Sequence, residues 1–252
     1  MFVHPASGSA ASYRALEPFL TSDRPVYAFH SPDIPPGRHA SIERIAEDYL
    51  AEFLHAAPRT TPVFVGWSFS GPVAVEMARL SESTAAGASG VVLLDSATPE
   101  VLAGRTADLV TEMGGLFGVD LAGTPASSPG ELLDRIAEIM AVSSDMAGVT
   151  GQDLRPFWDT YRWHQDAFES GWRARPCAAP VLLIRAREET GWDPAPDDLG
   201  WSDVFGTAVP VEWAGGTHYT LMENDRLADI ARIVERAVEK WSRPDPVTPC
   251  LN

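Results

Sequence analysis

The chain has 252 residues, of which 45% are hydrophobic and 21% charged, a balance typical of a globular protein that excludes wholesale disorder, collagen-like repeats and a disulfide scaffold. Its 19 Lys and Arg residues stand against 35 Asp and Glu residues, which gives a formal net charge of -16. This charge argues against nucleic acid or an anionic membrane as a partner. The two cysteines lack metal-ligand spacing, and no signal peptide or membrane span is evident, so we expect a cytoplasmic protein without a metal site.

Short apolar runs alternate with helical patterns along the chain. A brief strand-like segment at residues 2–4 opens the sequence, and five further runs are bounded by Pro, Gly or a charge: 26–29, 62–66, 90–95, 180–184 and 209–213. Continuous apolar runs of this kind are typical of strands that are covered on both faces of a parallel sheet. Apolar residues at helical spacing predict helices at 42–54, 72–80 and 227–238. The alternation predicts a doubly wound, mostly parallel α/β sheet.

One segment breaks this alternation. From about Thr98 to Pro176 no strand pattern is present, while two stripes of apolar residues at helical spacing are. So long a helical insertion between two strands predicts a lid over the strand ends. We therefore expect an α/β core of residues 1–97 and 177–241, a helical lid of residues 98–176 and a disordered, proline-rich tail of residues 242–252.

The sharpest chemical signal is a lone serine on the turn between a predicted strand and a predicted helix. Ser68 lies two residues after Gly66 and two before Ser70. Small residues at these positions let strand and helix pack closely around a nucleophile elbow. The usual pattern has glycine where this chain has Ser70, but serine is small enough to fit and Gly71 follows it. The alternative role for Ser68 is to cap the helix.

A serine nucleophile requires a base, and two histidines follow Ser68 in the chain. His218 lies in a glycine-bearing loop after the last predicted strand, where an α/β-hydrolase sheet places its base. His164 lies in the middle of a predicted helix among aromatic residues, where we expect it to pack in the lid or to line a pocket. His4 follows the first strand, and we expect it to shape the loop there rather than to act as a base.

The base in turn requires a carboxylate that fixes its tautomer. Asp95 ends the predicted strand directly after the elbow unit, so its side chain is expected at the same edge of the sheet. Three carboxylates after the next strand compete with it: Glu188, Glu189 and Asp193. Asp95 is the leading candidate, and its alternative role is to cap the following turn.

Four segments together resemble the thioesterase domains of modular polyketide and nonribosomal peptide synthases, which belong to the α/β-hydrolase superfamily. These segments are Phe2–Ala10, Gly66–Gly71, Leu93–Ser96 and Gly215–Tyr219. The resemblance covers nearly the whole chain and is weakest in the lid. It implies an α/β-hydrolase fold in which the lid covers an acyl channel and the acid follows the strand after the elbow, which favours Asp95. Discrete editing thioesterases are similar but place the acid one strand later, which would favour Glu189 or Asp193.

The resemblance also implies an oxyanion hole made of two backbone N–H groups. One belongs to Phe69, and the other belongs to Ala6 or to Ser7, which stands where glycine is more usual. The aromatic stripe of the lid is too broad for one core-facing side of a helix, so we expect some rings to line a cavity above Ser68 that holds a largely apolar acyl chain and excludes water. The alternative is that these rings only pack the lid onto the sheet. We expect four aromatic residues to contact the substrate: Trp67, Phe157, Trp158 and Tyr161.

These residues predict a serine thioesterase that releases a polyketide or peptidyl chain from a carrier-protein thioester, by hydrolysis or by cyclisation. The resemblance implies that the acyl chain arrives on the phosphopantetheine of a carrier protein in the same polypeptide and that the enzyme itself needs no cofactor. The alternatives are a discrete editing thioesterase and a small-molecule serine esterase. A non-catalytic binding module is a further alternative, against which the presence of all three triad residue types argues.

Overall fold

The computed structural model of the chain describes residues 1–32, 41–103, 109–125, 128–143, 148–188, 195–223 and 225–242. Two of the candidate acids, Glu189 and Asp193, lie outside these ranges, as does the proline-rich tail after Ser242.

Six parallel strands form one sheet in the order β2-β1-β3-β4-β5-β6. Their bounds are β1 Phe2–Val3, β2 Ala28–Phe29, β3 Val63–Trp67, β4 Gly90–Leu94, β5 Val181–Ala186 and β6 Val211–Ala214. The doubly wound parallel sheet is thus confirmed. The strand β6 begins after Pro210, because proline has no N–H to donate to the sheet. The Pro210 carbonyl still accepts a hydrogen bond from Leu183 N at 3.0 Å. The strand order reverses between β1 and β3, which places a topological switch point at the end of β3.

The helices are named in chain order. They are α1 Ala11–Arg14, α2 Ile42–Ala56, α3 Ser70–Ser81, α4 Pro99–Ala103, α5 Leu109–Phe117, α6 Pro129–Ser143, α7 Gly151–Glu169, α8 Trp201–Phe205 and α9 Leu227–Ser242. Local capping fixes where two of them begin: the Ser41 side chain accepts from Arg44 N ahead of α2, and Thr150 and Asp153 form a capping box at α7. A search of the described helices finds none long and apolar enough to cross a membrane.

Alternate strand positions divide the core into two layers. One face of the sheet packs against α2 and α3 through residues that include Val3, Phe64, Leu93 and Leu183. The other face packs against α1 and α9 through residues that include Phe2, Val65, Leu94 and Ile184. Because successive side chains of a strand point to opposite faces, continuous apolar runs such as these bury both sides of the sheet.

The helices α4 to α7 lie between β4 and β5 in the chain. The helices α5 and α7 each pack against α6. The apolar residues buried among them include Met113, Leu132, Leu133, Ile136 and Trp158. The stripe around residues 132–140 that the sequence predicts thus faces the interior of this helical segment.

Candidate active site

Ser68 lies on the tight turn that joins β3 to α3. Its φ of 57° is in the left-handed region, which a residue with a side chain rarely adopts, so neighbouring groups must hold it there. Ser68 N donates to Leu94 O at 3.0 Å, and Ser68 O accepts from Ser96 Oγ at 2.6 Å. The last residue of β4 and a residue shortly after this strand therefore hold both backbone polar groups of Ser68.

Close packing explains the small residues around Ser68. A methyl group at Gly66 would collide with the Ser70 carbonyl, and one at Gly71 would collide with the Ser96 side chain. Ser70 occupies the position where the usual elbow pattern has glycine. Its buried Oγ donates to Val3 O at 2.9 Å, so the extra hydroxyl has a partner and ties the turn to β1.

Ser68, His218 and Asp95 form a continuous hydrogen-bonded row. His218 Nε2 lies 2.9 Å from Ser68 Oγ, and His218 Nδ1 lies 2.8 Å from Asp95 Oδ2. A carboxylate only accepts, so Nδ1 carries the proton of the neutral ring and Nε2 acts as an acceptor toward the serine hydroxyl. This arrangement is able to take the proton of Ser68 when the hydroxyl attacks an electrophile.

Asp95 is fully buried directly after β4, and its φ of 42° is tolerated better by aspartate than by most residues. Asp95 N donates to Ile184 O at 2.7 Å, and Asp95 Oδ1 accepts from Ala186 N at 2.9 Å. The strand β5 thus orients the carboxylate, whose second oxygen points at His218.

Glu188, the competing acid within the described residues, contacts the loop of the base. Glu188 Oε1 accepts from Gly216 N at 2.9 Å, and Glu188 N donates to Gly216 O at 3.0 Å. Gly216 has a φ of 93°, a conformation that favours glycine. Sequence reasoning missed this role, in which Glu188 holds the loop that carries His218 while Asp95 contacts the ring itself.

The loop after β1 leaves the sheet beside the turn after β3, because Val3 is paired with Gly66. A tight turn over residues 5–8 is closed by Gly8 N, which donates to Pro5 O at 2.9 Å. Ala6 in this turn and Phe69 after the serine are both buried. His4 contacts this loop, as predicted, through Nδ1 at 2.8 Å from Pro5 O. His164 bonds to the same loop, with Nδ1 at 2.8 Å from Ala6 O.

A cavity of about 460 Å³ opens above Ser68. Tyr161 and Phe168 of α7 line it, together with the polar side chains of Arg162 and Gln165 and with Glu112 of α5. The lid wall is therefore more polar than the sequence predicts.

The other three aromatic residues expected at the substrate lie elsewhere in the described structure. Trp158 is buried in the core and stacks on Tyr161, with ring centroids 5.5 Å apart. Phe157 lies one helical turn before Tyr161 and packs against Phe117 at 5.0 Å, which carries it past the cavity. Trp67 packs with the core layer on the α9 face of the sheet, 6.2 Å from the His218 ring.

The sheet and the row of side chains at its edge define a class of protein. The sheet is parallel, a serine with a left-handed φ follows β3, an aspartate follows β4 and a histidine follows the last strand. This is the architecture of the α/β-hydrolases. Within that class, the chain belongs to the Thioesterase domain family, whose model matches residues 1–238. The resemblance drawn from the sequence is thus confirmed.

Two relatives illustrate this membership. The chain is 27% identical over 247 residues to the non-reducing polyketide synthase atnG of Arthrinium sp, a match that covers 93% of this chain and 12% of the synthase. It is 26% identical over 258 residues to Thioesterase AMT4 of Alternaria alternata, over 96% of this chain and 84% of that protein. The chain thus spans about an eighth of the synthase and most of AMT4.

A solved structure supports the fold. The NocB thioesterase domain, in covalent complex with a fluorophosphonate nocardicin G analogue, matches with a TM-score of 0.68 at 22% identity. The match covers 94% of this chain and 92% of that one, so it includes the lid as well as the sheet. The α/β-hydrolase fold with a helical insertion is confirmed.

Proposed function

We propose that the protein is a serine thioesterase that releases an acyl or peptidyl chain from the phosphopantetheine thioester of a carrier protein. The observation that carries this proposal is the Ser68–His218–Asp95 row, with both of its hydrogen bonds under 3 Å, at the floor of a cavity. Membership of the thioesterase family supports the thioester as the bond attacked. The alignment with one segment of a polyketide synthase supports a carrier protein tethered in the same polypeptide.

The proposed reaction has two halves. Ser68 Oγ attacks the thioester carbon while His218 Nε2 takes the hydroxyl proton, and Asp95 stabilises the imidazolium that results. The oxyanion is held by Phe69 N–H, at the start of α3 where the helix dipole is positive, and by an amide of the loop after β1. The C–S bond then breaks, and His218 returns the proton to the leaving thiolate. Water or a nucleophile of the chain itself opens the acyl-enzyme.

The lid wall supports a substrate with polar groups near the scissile carbonyl. Glu112, Arg162 and Gln165 face the same cavity as Ser68, so a wholly apolar chain would leave them without the solvent they prefer. A polar wall also retains water beside the acyl-enzyme. We therefore propose hydrolysis as the outcome. We also propose that residues 1–97 and 177–241 form the core that carries the catalytic row and that residues 98–176 form the lid.

A fluorophosphonate probe tests the nucleophile. The wild-type protein should be labelled at Ser68, as located by peptide mass spectrometry, because the probe requires an activated serine. Ser68→Ala should abolish labelling and turnover, whereas Ser70→Ala, which changes the neighbouring buried serine, should keep both. An unlabelled wild-type protein, or a folded Ser68→Ala protein that retains turnover, contradicts the proposal.

A second experiment tests the substrate class. Acyl N-acetylcysteamine thioesters and the matching ethyl esters should be compared by kcat/KM, and the products should be identified by mass spectrometry. A preference for thioesters is expected, and a preference for oxygen esters would instead favour the small-molecule esterase. The same acyl group on a carrier protein added in trans should give little gain in kcat/KM, because a tethered partner relies on effective concentration rather than on affinity.

A further inference from the structure

Two buried histidines outside the triad hold the loop after β1. His4 Nδ1 lies 2.8 Å from Pro5 O, and His164 Nδ1 lies 2.8 Å from Ala6 O, so two successive carbonyls of the chain are engaged by two imidazoles. Both side chains are fully buried, and their ring centroids lie 4.8 Å apart. A carbonyl oxygen only accepts, so each Nδ1 carries a proton and donates it.

Both rings are neutral, and each has a partner on its far side. Burial lowers the pKa of His4 to about 4 and that of His164 to about 3. The Nε2 atom of a neutral ring with a proton on Nδ1 accepts, and His4 Nε2 lies 2.6 Å from the Tyr49 hydroxyl. His164 Nε2 lies 3.4 Å from Ser31 Oγ. The carbonyl beside Nδ1 therefore sets the tautomer of each ring, and the hydroxyl beside Nε2, which can donate or accept, is compatible with that tautomer.

The carbonyls that accept these bonds determine where the next amides point. In a trans peptide the N–H is directed opposite to the C=O of the same plane. Pro5 O shares its plane with Ala6 N–H, and Ala6 O shares its plane with Ser7 N–H. His4 thus orients the Ala6 amide and His164 orients the Ser7 amide, the two candidates for the second oxyanion donor. A peptide whose carbonyl accepts a hydrogen bond is also polarised into a stronger N–H donor.

His164 also contacts the residue of the first oxyanion donor. The His164 ring packs against the Phe69 ring, with centroids 4.7 Å apart. Phe69 also packs against Phe168, which lies in α7 like His164, with ring centroids 5.4 Å apart. The helix α7 that carries His164 also supplies Tyr161 to the cavity. One lid helix therefore contacts the cavity, the loop after β1 and the residue after the nucleophile.

We propose that His4 and His164 are positioning residues for the oxyanion hole, and that His164 makes the geometry of this hole depend on how the lid helix α7 is seated. The inference rests on the proposed function, since an oxyanion hole matters only if Ser68 forms an acyl-enzyme. Removal of a whole oxyanion donor lowers kcat by about 10²–10³. A donor that is present but poorly aimed should lower kcat by about 10- to 100-fold.

Three substitutions of His164 test the proposal on an acyl N-acetylcysteamine thioester. His164→Leu fills the space but cannot donate, so kcat should fall about 10- to 100-fold while KM changes little. His164→Asn places an amide N–H near the position of Nδ1 and should recover most of that loss. His164→Gln reaches the position of Nε2 instead and should not. The Asn and Gln pair keeps the test valid if His164→Leu fails to fold.

A transition-state analogue supplies a readout that packing alone would not change. A trifluoromethyl ketone forms a tetrahedral adduct whose oxyanion lies in the hole, so its affinity should fall by the same factor as kcat/KM across the three variants. Ile230→Ala is the control: Ile230 is fully buried in α9, outside the lid, so this variant should lose stability and keep its kcat.

The outcomes separate this inference from the proposed function. If the wild-type protein is not labelled at Ser68 and does not turn over thioesters, the proposed function fails. If the wild-type protein is active, the inference is overturned by any of three results. These results are a kcat within threefold of wild type in His164→Leu or Gln, equal kcat losses in the Asn and Gln variants, or the same kcat loss in Ile230→Ala.

Discussion

Replacement of Asp95 by Asn should inactivate the enzyme by reversing the tautomer of His218. The carboxylate uses both of its oxygens, one for Ala186 N–H and one for His218 Nδ1–H. Asparagine offers one acceptor and one donor. Because Ala186 N–H requires the acceptor, the amide NH₂ faces His218 Nδ1, which must then accept. The ring proton moves to Nε2, 2.9 Å from Ser68 Oγ, where it prevents Nε2 from taking the serine proton.

The expected magnitude follows from this change. The same substitution in another serine triad lowers kcat by about 10⁴ without disturbing the geometry. A loss of that size corresponds to about 5 kcal/mol of activation free energy. The effect should fall on kcat rather than on KM, because Asp95 is fully buried and acts through the base that it holds.

The assay follows thiol release from an acyl N-acetylcysteamine thioester at pH 7, with circular dichroism to check folding. Glu188→Gln is the matched control, since it also converts a carboxylate to an amide beside the site. Its side-chain oxygen still accepts from Gly216 N–H, so kcat should stay within about threefold of wild type. A folded Asp95→Asn protein with more than a tenth of wild-type kcat, or equal losses in the two variants, would refute the tautomer argument.

Two further predictions concern stability. Gly71→Ala should lower the free energy of unfolding by about 1–3 kcal/mol and reduce turnover, because the added methyl group displaces the Ser96 side chain that holds Ser68 O. Gly130→Ala is the control: its position is uncrowded, so this variant should melt at or above the wild-type temperature. Acid should also destabilise the fold. His4 and His164 have folded pKa values of about 4 and 3 against an ordinary value of 6.5, so the unfolded chain binds more protons below pH 6.5. Urea titrations should show that the free energy of unfolding falls by up to about 2 kcal/mol per ring between pH 7 and pH 5. A free energy of unfolding that does not fall over this range would contradict the conclusion that both rings are neutral in the folded protein.

The juxtaposition of Ser68, Asp95 and His218 was predictable because each residue follows a strand that the sequence itself predicts. The runs that end near Gly66, Asp95 and Ala214 are continuous and apolar, and parallel strands bring their carboxyl ends to one edge. Local pattern and global topology agree at this edge, so the sequence alone is enough to place together residues that are far apart in the chain.

The lining of the cavity was not predictable in the same way. The helix α7 carries aromatic residues around most of its circumference, so its sequence does not say which ridge faces Ser68. The docking of α7 on α6 and on the loop after β1 decides this, and it selects Tyr161 and Phe168 while it turns Trp158 into the core. Phe157 shares a ridge with Tyr161 but lies one turn too far along the helix.

The roles of Glu188 and His164 depend on backbone partners that no residue pattern encodes. Each side chain bonds to a main-chain group that is distant in sequence, Gly216 N for Glu188 and Ala6 O for His164. One signal was available for His164, since a polar ring among the aromatic residues of a helix requires a hydrogen-bond partner once it is buried. That signal indicates that a partner exists but not which group it is.

The way in which the triad is anchored has a consequence for protein engineering. Ser68 is held by Leu94 and Ser96, Asp95 by the end of β5, and the loop of His218 by Glu188, and none of these groups belongs to α4–α7. A chimera that exchanges residues 98–176 for the corresponding segment of another family member should therefore keep its catalytic row and acquire a new substrate wall. The transplanted segment bonds to the loop after β1 through position 164, so a hydrogen-bond donor there should distinguish active chimeras from well-folded but slow ones.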